Sequence, residues 1–297
     1  MSVHPVRLLP SFREKIWGSA ALEPWFRPTG AQIGEVWFTA DDNRTEDGRA
    51  LSELMHGQRF PILVKFIFTT ARLSLQVHPN DAQAEGGPGK TEMWYILRAQ
   101  PDSTLALGFN QPITKERLRE SAASGEIEHL VRWFPVRAGD TFFTPAGVVH
   151  AIGAGIALVE IQQNSDITYR LYDYGRPREL HLDKGVEVSQ LDPHPGPSTP
   201  VDQGEGRREL ARCDYFVTET LEWASALTWH PDPSHLDILI FIEGKGSIAG
   251  HPVGPGEVWL VPAGAEPFPV SVDTRLRLLR TYPPAPRLPS PRQSPPR

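Results

Sequence analysis

Residues 73–78 alternate: Leu73, Leu75 and Val77 are apolar, Ser74, Gln76 and His78 are polar, and Pro79-Asn80-Asp81 ends the run. A period of two predicts a strand with one face in a core. Solvent-facing strand positions usually carry Thr, Lys or Glu, so Gln and His two apart point to a second face that looks into a site. The same β-rich pattern recurs along most of the chain. "PILVKFIF" precedes this run, and "EMWYILRAQPDSTLALGF" follows as a strand pair with a turn at Pro101-Asp102-Ser103. Strand signals resume at "DTFFTPAGVVHAIG", "IALVEIQQ" and "ITYRLYDY". Residues 112–131, "PITKERLRESAASGEIEHLV", are the best helical stretch, with Glu, Arg and Leu at helical spacing; they predict two short helices separated near Ser124-Gly125.

The pattern divides the chain into a first block, 1–191, a Pro-, Gly- and Ser-rich linker, 192–208, a second β-rich block, 209–282, and a Pro- and Arg-rich tail, 283–297, expected to be disordered. The blocks echo one another. "GDTFFTPAG" (139–147) and "GEVWLVPAG" (256–264) share one frame: Gly, an acid, four β-prone residues, then Pro-Ala-Gly. Three residues after Gly147 stands His150, and three after Gly264 stands Pro267, so a repeat would keep a functional histidine in one copy only.

Composition narrows the classes. With 297 residues, 39% hydrophobic and 22% charged, the chain can bury a large core. The 25 glycines and 30 prolines suit many short strands joined by tight turns. A net charge of -6 leaves no footprint for nucleic acid or an anionic membrane, so a small anionic substrate would need local cations. The single cysteine, Cys213, excludes an internal disulfide or a cysteine zinc cluster and fits a reducing cytoplasm. No apolar run approaches the roughly 20 residues of a membrane helix, and "MSVHPVRLLPSFREKIWG" lacks the apolar stretch of a signal peptide.

On the strand "KTEMWYIL", Lys90, Glu92 and Trp94 share a face. Two imidazoles and a carboxylate from separate strands, His78, His150 and Glu92, can meet in a barrel mouth and leave coordination positions open for substrate, with Gln76 a possible fourth ligand. Such a set suits Zn²⁺, but also Fe²⁺, Mn²⁺ or Co²⁺. The competing reading makes each histidine a hydrogen-bonded structural residue and Glu92 half of a buried pair with Lys90.

The frame around His150, "GDTFFTPAGVVH", resembles the second signature motif of the cupin superfamily. Ala154 replaces the usual asparagine, and His78 and Glu92 are separated by a longer stretch than the first motif normally has. With "FREKIWG", "IGEVWF", "SLQVHPND", "GKTEMWYIL", "PAGVVHAIG" and "EIQQNSDITYRLYDYGR…ELHLDKG", the chain closely resembles the type I (cupin) mannose-6-phosphate isomerases of the shorter bacterial kind. The resemblance covers residues 10–185 strongly and 209–282 only as a degenerate second cupin. It implies an all-β-dominated fold of two cupin-like (jelly-roll) barrels with a small helical insertion at about 112–131. It also implies one Zn²⁺ per chain on His78, Glu92 and His150, with Gln76 as fourth ligand, and a catalytic arginine at Arg170.

The reaction implied is interconversion of mannose 6-phosphate and fructose 6-phosphate through an enediol-like intermediate, whose developing negative charge a metal and a preorganised cation stabilise. Lys90 is the second candidate cation, for phosphate or a substrate oxygen, and Ser74 a candidate hydrogen-bond donor to phosphate. Glu160, Asp166 and a metal-bound water are open candidates for the proton carrier, Glu160 also for substrate binding. His181, alternating with Leu180 and Leu182, lines the cavity or is structural. The partner expected is a small sugar phosphate, and the assembly a monomer or weak homo-oligomer. Two rival readings keep the site and change the chemistry: a cupin non-haem iron oxygenase, and a non-catalytic sugar-phosphate-binding cupin.

Overall fold

The alternating run becomes the short strand Leu75–Val77, held in a five-stranded antiparallel sheet in the order Tyr169–Tyr172, Leu75–Val77, His150–Ile152, Thr104–Phe109, Val131–Pro135. The computed structural model describes residues 4–55 and 57–284. A six-stranded sheet faces the first, ordered Ser11–Ser19, Ile33–Trp37, Ile62–Phe68, Ile156–Gln163, Glu92–Ala99, Thr141–Thr144. Between them lies an apolar layer that includes Trp17, Ile67, Trp94, Leu105, Phe142, Ile152 and Leu158. Period-two alternation then dictates what the outer faces do. Leu75, Val77, Ala106 and Ala151 pack outward against the helices, joining Leu118, Ala122, Ile127 and Val186.

The helices Lys115–Ser124 and Ile127–Leu130 form as expected. Thr114 caps the first by accepting from the Arg117 N–H, and Gly125 ends it at φ 85°, a conformation that glycine adopts without strain. Two further helices, Leu51–Leu54 and Leu182–Val188, fall where the sequence pattern suggested none.

The other face of the six-stranded sheet, with Val64, Phe66, Phe68, Met93 and Val159, packs on a third, nine-stranded sheet through Ile238, Ile240, Val258, Leu260 and Leu279. Its long strands Asp237–Ile248 and Phe268–Tyr282 shift register between Phe241 and Gly246, and these irregularities bend the sheet around its own core of Leu239, Phe241, Trp259 and Leu278. The architecture is therefore the all-β, two-barrel fold expected from the sequence.

Two segments lie elsewhere than their composition suggested. The stretch 192–208 holds the strand Val201–Gly204 and the start of Arg207–Arg212, because Gly204-Glu205-Gly206, all at positive φ, turns the chain into a hairpin. The strand Val6–Leu8, from the first block, pairs with Val258–Leu260 of the second. Residues 285–297 of the Pro- and Arg-rich tail lie outside the described residues. Among the described residues, no helix is long and apolar enough to cross a membrane.

Phe66 sits at the centre of the layer joining the two sheet systems, with ring centroids 5.1 Å from Phe26 and 5.8 Å from Phe38. Phe66→Ala should lower the free energy of unfolding by about 3–5 kcal/mol, seen as an earlier chemical-denaturation midpoint. An unchanged midpoint would show that this layer contributes little to stability.

Candidate metal centre and active site

The ligand atoms of His78, Glu92 and His150 gather within 4.8 Å of one another, all three side chains buried. The sheets set this up by register. Glu92 begins its strand opposite Gln162 and Thr144, and His150 begins its own opposite Gln76, so three strand ends converge at one mouth of the barrel. His78 follows directly on Leu75–Val77. Glu92 Oε1 lies 3.4 Å from His150 Nε2, and Glu92 Oε2 lies 3.5 Å from His78 Nε2.

Each imidazole is oriented from behind. His78 Nδ1 donates to the Ile167 carbonyl at 2.8 Å, and His150 Nδ1 to the Val148 carbonyl at 2.9 Å. A carbonyl only accepts, so the proton sits on Nδ1 and the Nε2 lone pair faces the cluster, the tautomer a metal ligand needs. Burial pushes His78 well below the usual histidine range and His150 down to about 4, each helped by the nearby Lys90 charge. Burial also pushes Glu92 up, to about 7, with Glu160 adding to the rise and Lys90 opposing it. Glu92 Oε1 is buried without a hydrogen-bond partner among the described residues. Two neutral imidazoles and a carboxylate with an unmet oxygen are the donor set of a divalent-cation site, and the residues fit a metal.

Gln76 reaches the same cluster, with its Nε2 3.3 Å from His150 Nε2, while its Oε1 accepts from Ser74 Oγ at 3.2 Å. Half a turn of the amide would present oxygen instead. Ser74 thus orients Gln76, and both residues line the cavity above. Lys90 stands over the cluster, donating from Nζ to His78 Nε2 at 2.9 Å and ion-paired with Glu92 Oε2. Burial lowers its proton affinity, but Glu160 and Glu92 raise it by more, so Lys90 is an ammonium.

Above the triad opens a cavity of ≈ 300 Å³ whose wall includes Ser74, Gln76, Lys90, Glu160, Asp166 and Arg170. Glu160 is buried on its floor. Its Oε2 accepts from Trp94 Nε1 at 2.9 Å, and its Oε1 lies 3.4 Å from Lys65 Nζ and 3.9 Å from Lys90 Nζ. Burial opposes its ionisation, and the two ammoniums overcome that and hold the carboxyl below its usual range. Asp166 lies at the rim, its side chain 73% exposed. Arg170 donates from Nη1 to the Glu179 carbonyl at 2.7 Å, and its buried Nε has no partner among the described residues.

His181 does not line the cavity. It caps the helix Leu182–Val188, and its Nδ1 accepts from the Arg170 N–H at 3.2 Å while its own N–H donates to the Arg170 carbonyl at 2.7 Å. The alternation of Leu180, His181 and Leu182 belongs to a helix start, not a strand, and His181 buttresses Arg170 from outside.

Sequence reasoning missed Lys65. It sits in a strand whose seven residues are all buried, lies 4.4 Å from the centroid of the Trp37 ring, and pairs with Glu160. The signal was present: a lone charge inside "PILVKFIF" has no solvent to reach and needs a buried partner. Lys15, Glu35 and Arg178 also line the cavity and carried no comparable signal.

No family model matches the chain. Mannose-6-phosphate isomerase ManA of Bacillus subtilis is 38% identical over an alignment covering 90% of this chain and 96% of that protein. The crystal structure of the mannose 6-phosphate isomerase from Bacillus subtilis matches with a TM-score of 0.86 at 29% identity, covering 94% of this chain and 99% of the other. A zinc-bound mannose 6-phosphate isomerase shares the fold at 18% identity, with a TM-score of 0.76 over 94% of this chain and 99% of the other. With likeness of this extent running through both barrels, the chain belongs to the mannose-6-phosphate isomerase family.

Proposed function

We propose that this protein interconverts mannose 6-phosphate and fructose 6-phosphate in the cavity above His78, Glu92 and His150, with one zinc ion held by those three residues and Gln76. The observation that carries the reading is the convergence of three metal-ligating atoms within 4.8 Å beneath a cation-lined cavity. When bound, the metal supplies Lewis-acid polarisation of the sugar oxygens. The chain's own residues do the rest.

The lining holds five cations, Lys15, Lys65, Lys90, Arg170 and Arg178, against three carboxylates, Glu35, Glu160 and Asp166. That excess offsets the negative global charge and draws in a phosphate dianion. Arg170, a guanidinium on the cavity wall, is the candidate to grip the phosphate or the charge that develops on the sugar oxygens. Lys90 stays charged and is therefore an electrostatic stabiliser rather than a base. Proton movement between the adjacent carbons needs a carboxylate that is ionised at neutral pH and shielded from bulk water, and Glu160 on the cavity floor meets both conditions, whereas Asp166 is exposed. Lys65 holds Glu160 in place. Phosphate-binding cations distinguish this reading from an iron oxygenase, which has no use for them, and turnover distinguishes it from a binding-only cupin.

A coupled assay should therefore show fructose 6-phosphate formed from mannose 6-phosphate, abolished by chelation and restored by added zinc. No turnover in the fully zinc-loaded chain would reject the substrate. His150→Ala should lose activity together with zinc stoichiometry, whereas Glu160→Gln should keep zinc and lose roughly 10²-fold or more in kcat. Glu160→Gln with unchanged kcat would remove Glu160 from the proton step. Metal uptake by the stripped chain should also weaken with acid. Glu92 accepts a proton near pH about 7, and that proton competes with the metal, so affinity should fall about tenfold per unit from about pH 7 to about pH 5. A zinc-chelator competition series that stays flat over this range would contradict the assignment of Glu92 as a ligand.

A further inference from the structure

The two barrels can be aligned through their strand registers. Thr144 and Val261 hold the same place in the nine-residue repeat, and their cross-strand partners are Glu92 and Asp237. Asp237 is therefore the counterpart of Glu92. Two residues along, Trp94 lies opposite Glu160 and Leu239 lies opposite Arg280. Glu160 lies opposite Lys65, and Arg280 opposite Glu219. Two residues further on that last pair of strands, Ile67 lies opposite Glu35 and Leu221 opposite Arg207.

Three charges thus recur with reversed sign: Glu219 for Lys65, Arg280 for Glu160 and Arg207 for Glu35. The buried ion pair is kept, with Arg280 3.4 Å from Glu219 and 2.8 Å from Asp237. The metal set is not, since Pro267 stands for His150, and among the described residues no second group of ligands comes together.

A cavity is kept as well. Ile67 and Glu35 line the catalytic cavity, and their counterparts Leu221 and Arg207 line one of ≈ 410 Å³ in the second barrel. Its wall carries two indoles, Trp223 and Trp229, with ring centroids 5.4 Å apart. Two buried donors of that wall, Trp229 Nε1 and Arg207 Nε, have no hydrogen-bond partner among the described residues. The charge balance is the opposite of the catalytic cavity's: Arg207, already 2.9 Å from Glu219, is the single cation, set against Glu205 and Glu222. Such a wall does not favour a phosphate. Indole edges among polar groups, with the Arg280 guanidinium 5.3 Å from the Trp229 ring, in a volume of this size, suit a small polyhydroxylated ring.

We propose that the second barrel carries a non-catalytic binding site for an uncharged hexose, the unphosphorylated form of what the first barrel takes. The ligand class leans on the reading of the first cavity as a sugar-phosphate site, but the test reads the second barrel by itself. Indole N–H signals are followed in a ¹H–¹⁵N spectrum of the full-length, zinc-loaded chain as D-mannose is added. The signal absent from Trp229→Phe is assigned to Trp229. The expected result is a saturable shift of that signal, weakened at least tenfold in Ser225→Trp, which fills the cavity from its exposed rim, with the isomerase kcat/KM unchanged in that variant. Retained isomerase activity certifies that the variant is folded.

No shift at Trp229, or a shift of equal affinity in Ser225→Trp, overturns the proposal. So does a shift that mannose 6-phosphate produces and mannose does not. A shift confined to Trp17, which lines the catalytic cavity, overturns it while leaving the isomerase reading intact. Absence of isomerase turnover, with the Trp229 shift present, rejects the other reading and not this one.

Discussion

Buried charge is the constraint around which this molecule is arranged. Lys65, Lys90, Glu92 and Glu160 are all buried inside a barrel whose lower half is Trp, Phe, Leu and Ile. An isolated charge there would be expelled or neutralised, so each must find its opposite within the cluster. The sheet provides this through pairing: Glu160 lies directly opposite Lys65 on one side and opposite Trp94, its indole donor, on the other. A slip of one residue in either ladder would turn the carboxylate out toward the second barrel and leave Lys65 without its buried partner. Register and chemistry are therefore held by the same contacts. A preorganised, dry, charged site is also what an enediol-like intermediate requires, because fixed charges there need no reorganisation as the reaction proceeds.

The sequence was informative wherever a local pattern met a burial requirement. The alternation at 73–78, the Pro-Ala-Gly frame before His150 and the helical insertion each forecast an element, and the inward face of Gln76 and His78 is the face that meets Glu92. Failures have physical causes of the same kind. Composition marked 192–208 as a linker, yet glycines at 204 and 206 are also what a tight hairpin needs, and composition cannot separate those uses. His181 sits in three alternating residues, too few to distinguish a strand from a helix start. Val6–Leu8 pairs with residues far along the chain, and long-range pairing leaves no periodic trace. Lys65 was legible in principle, since a charge in an otherwise apolar run is a statement about a partner.

The echo between the barrels has a structural meaning beyond resemblance. Both keep the repeated turn and a buried ion pair, although the signs are exchanged and the metal set is confined to one. The pair thus belongs to the architecture, as the way a barrel mouth seals polar strand ends, while the metal ligands belong to the activity. On the proposed mechanism, Lys65 and Glu160 bear on both fold and chemistry, whereas His150 bears on chemistry alone.

The strand Val6–Leu8 makes the molecule's completion depend on order in time. Its hydrogen-bonding partners, residues 258–260, are synthesised long after it, so this strand must wait, unpaired, until they emerge. The ligand residues of the first barrel, 76–150, are all synthesised earlier, and the strands and loops that hold them extend to residue 172. The apolar back of its six-stranded sheet stays uncovered until the second barrel arrives to bury it. Pairing residues 6–8 with 258–260 in one sheet therefore acts as a late latch: a nascent chain can hold the elements of the site and still present an unfinished apolar surface.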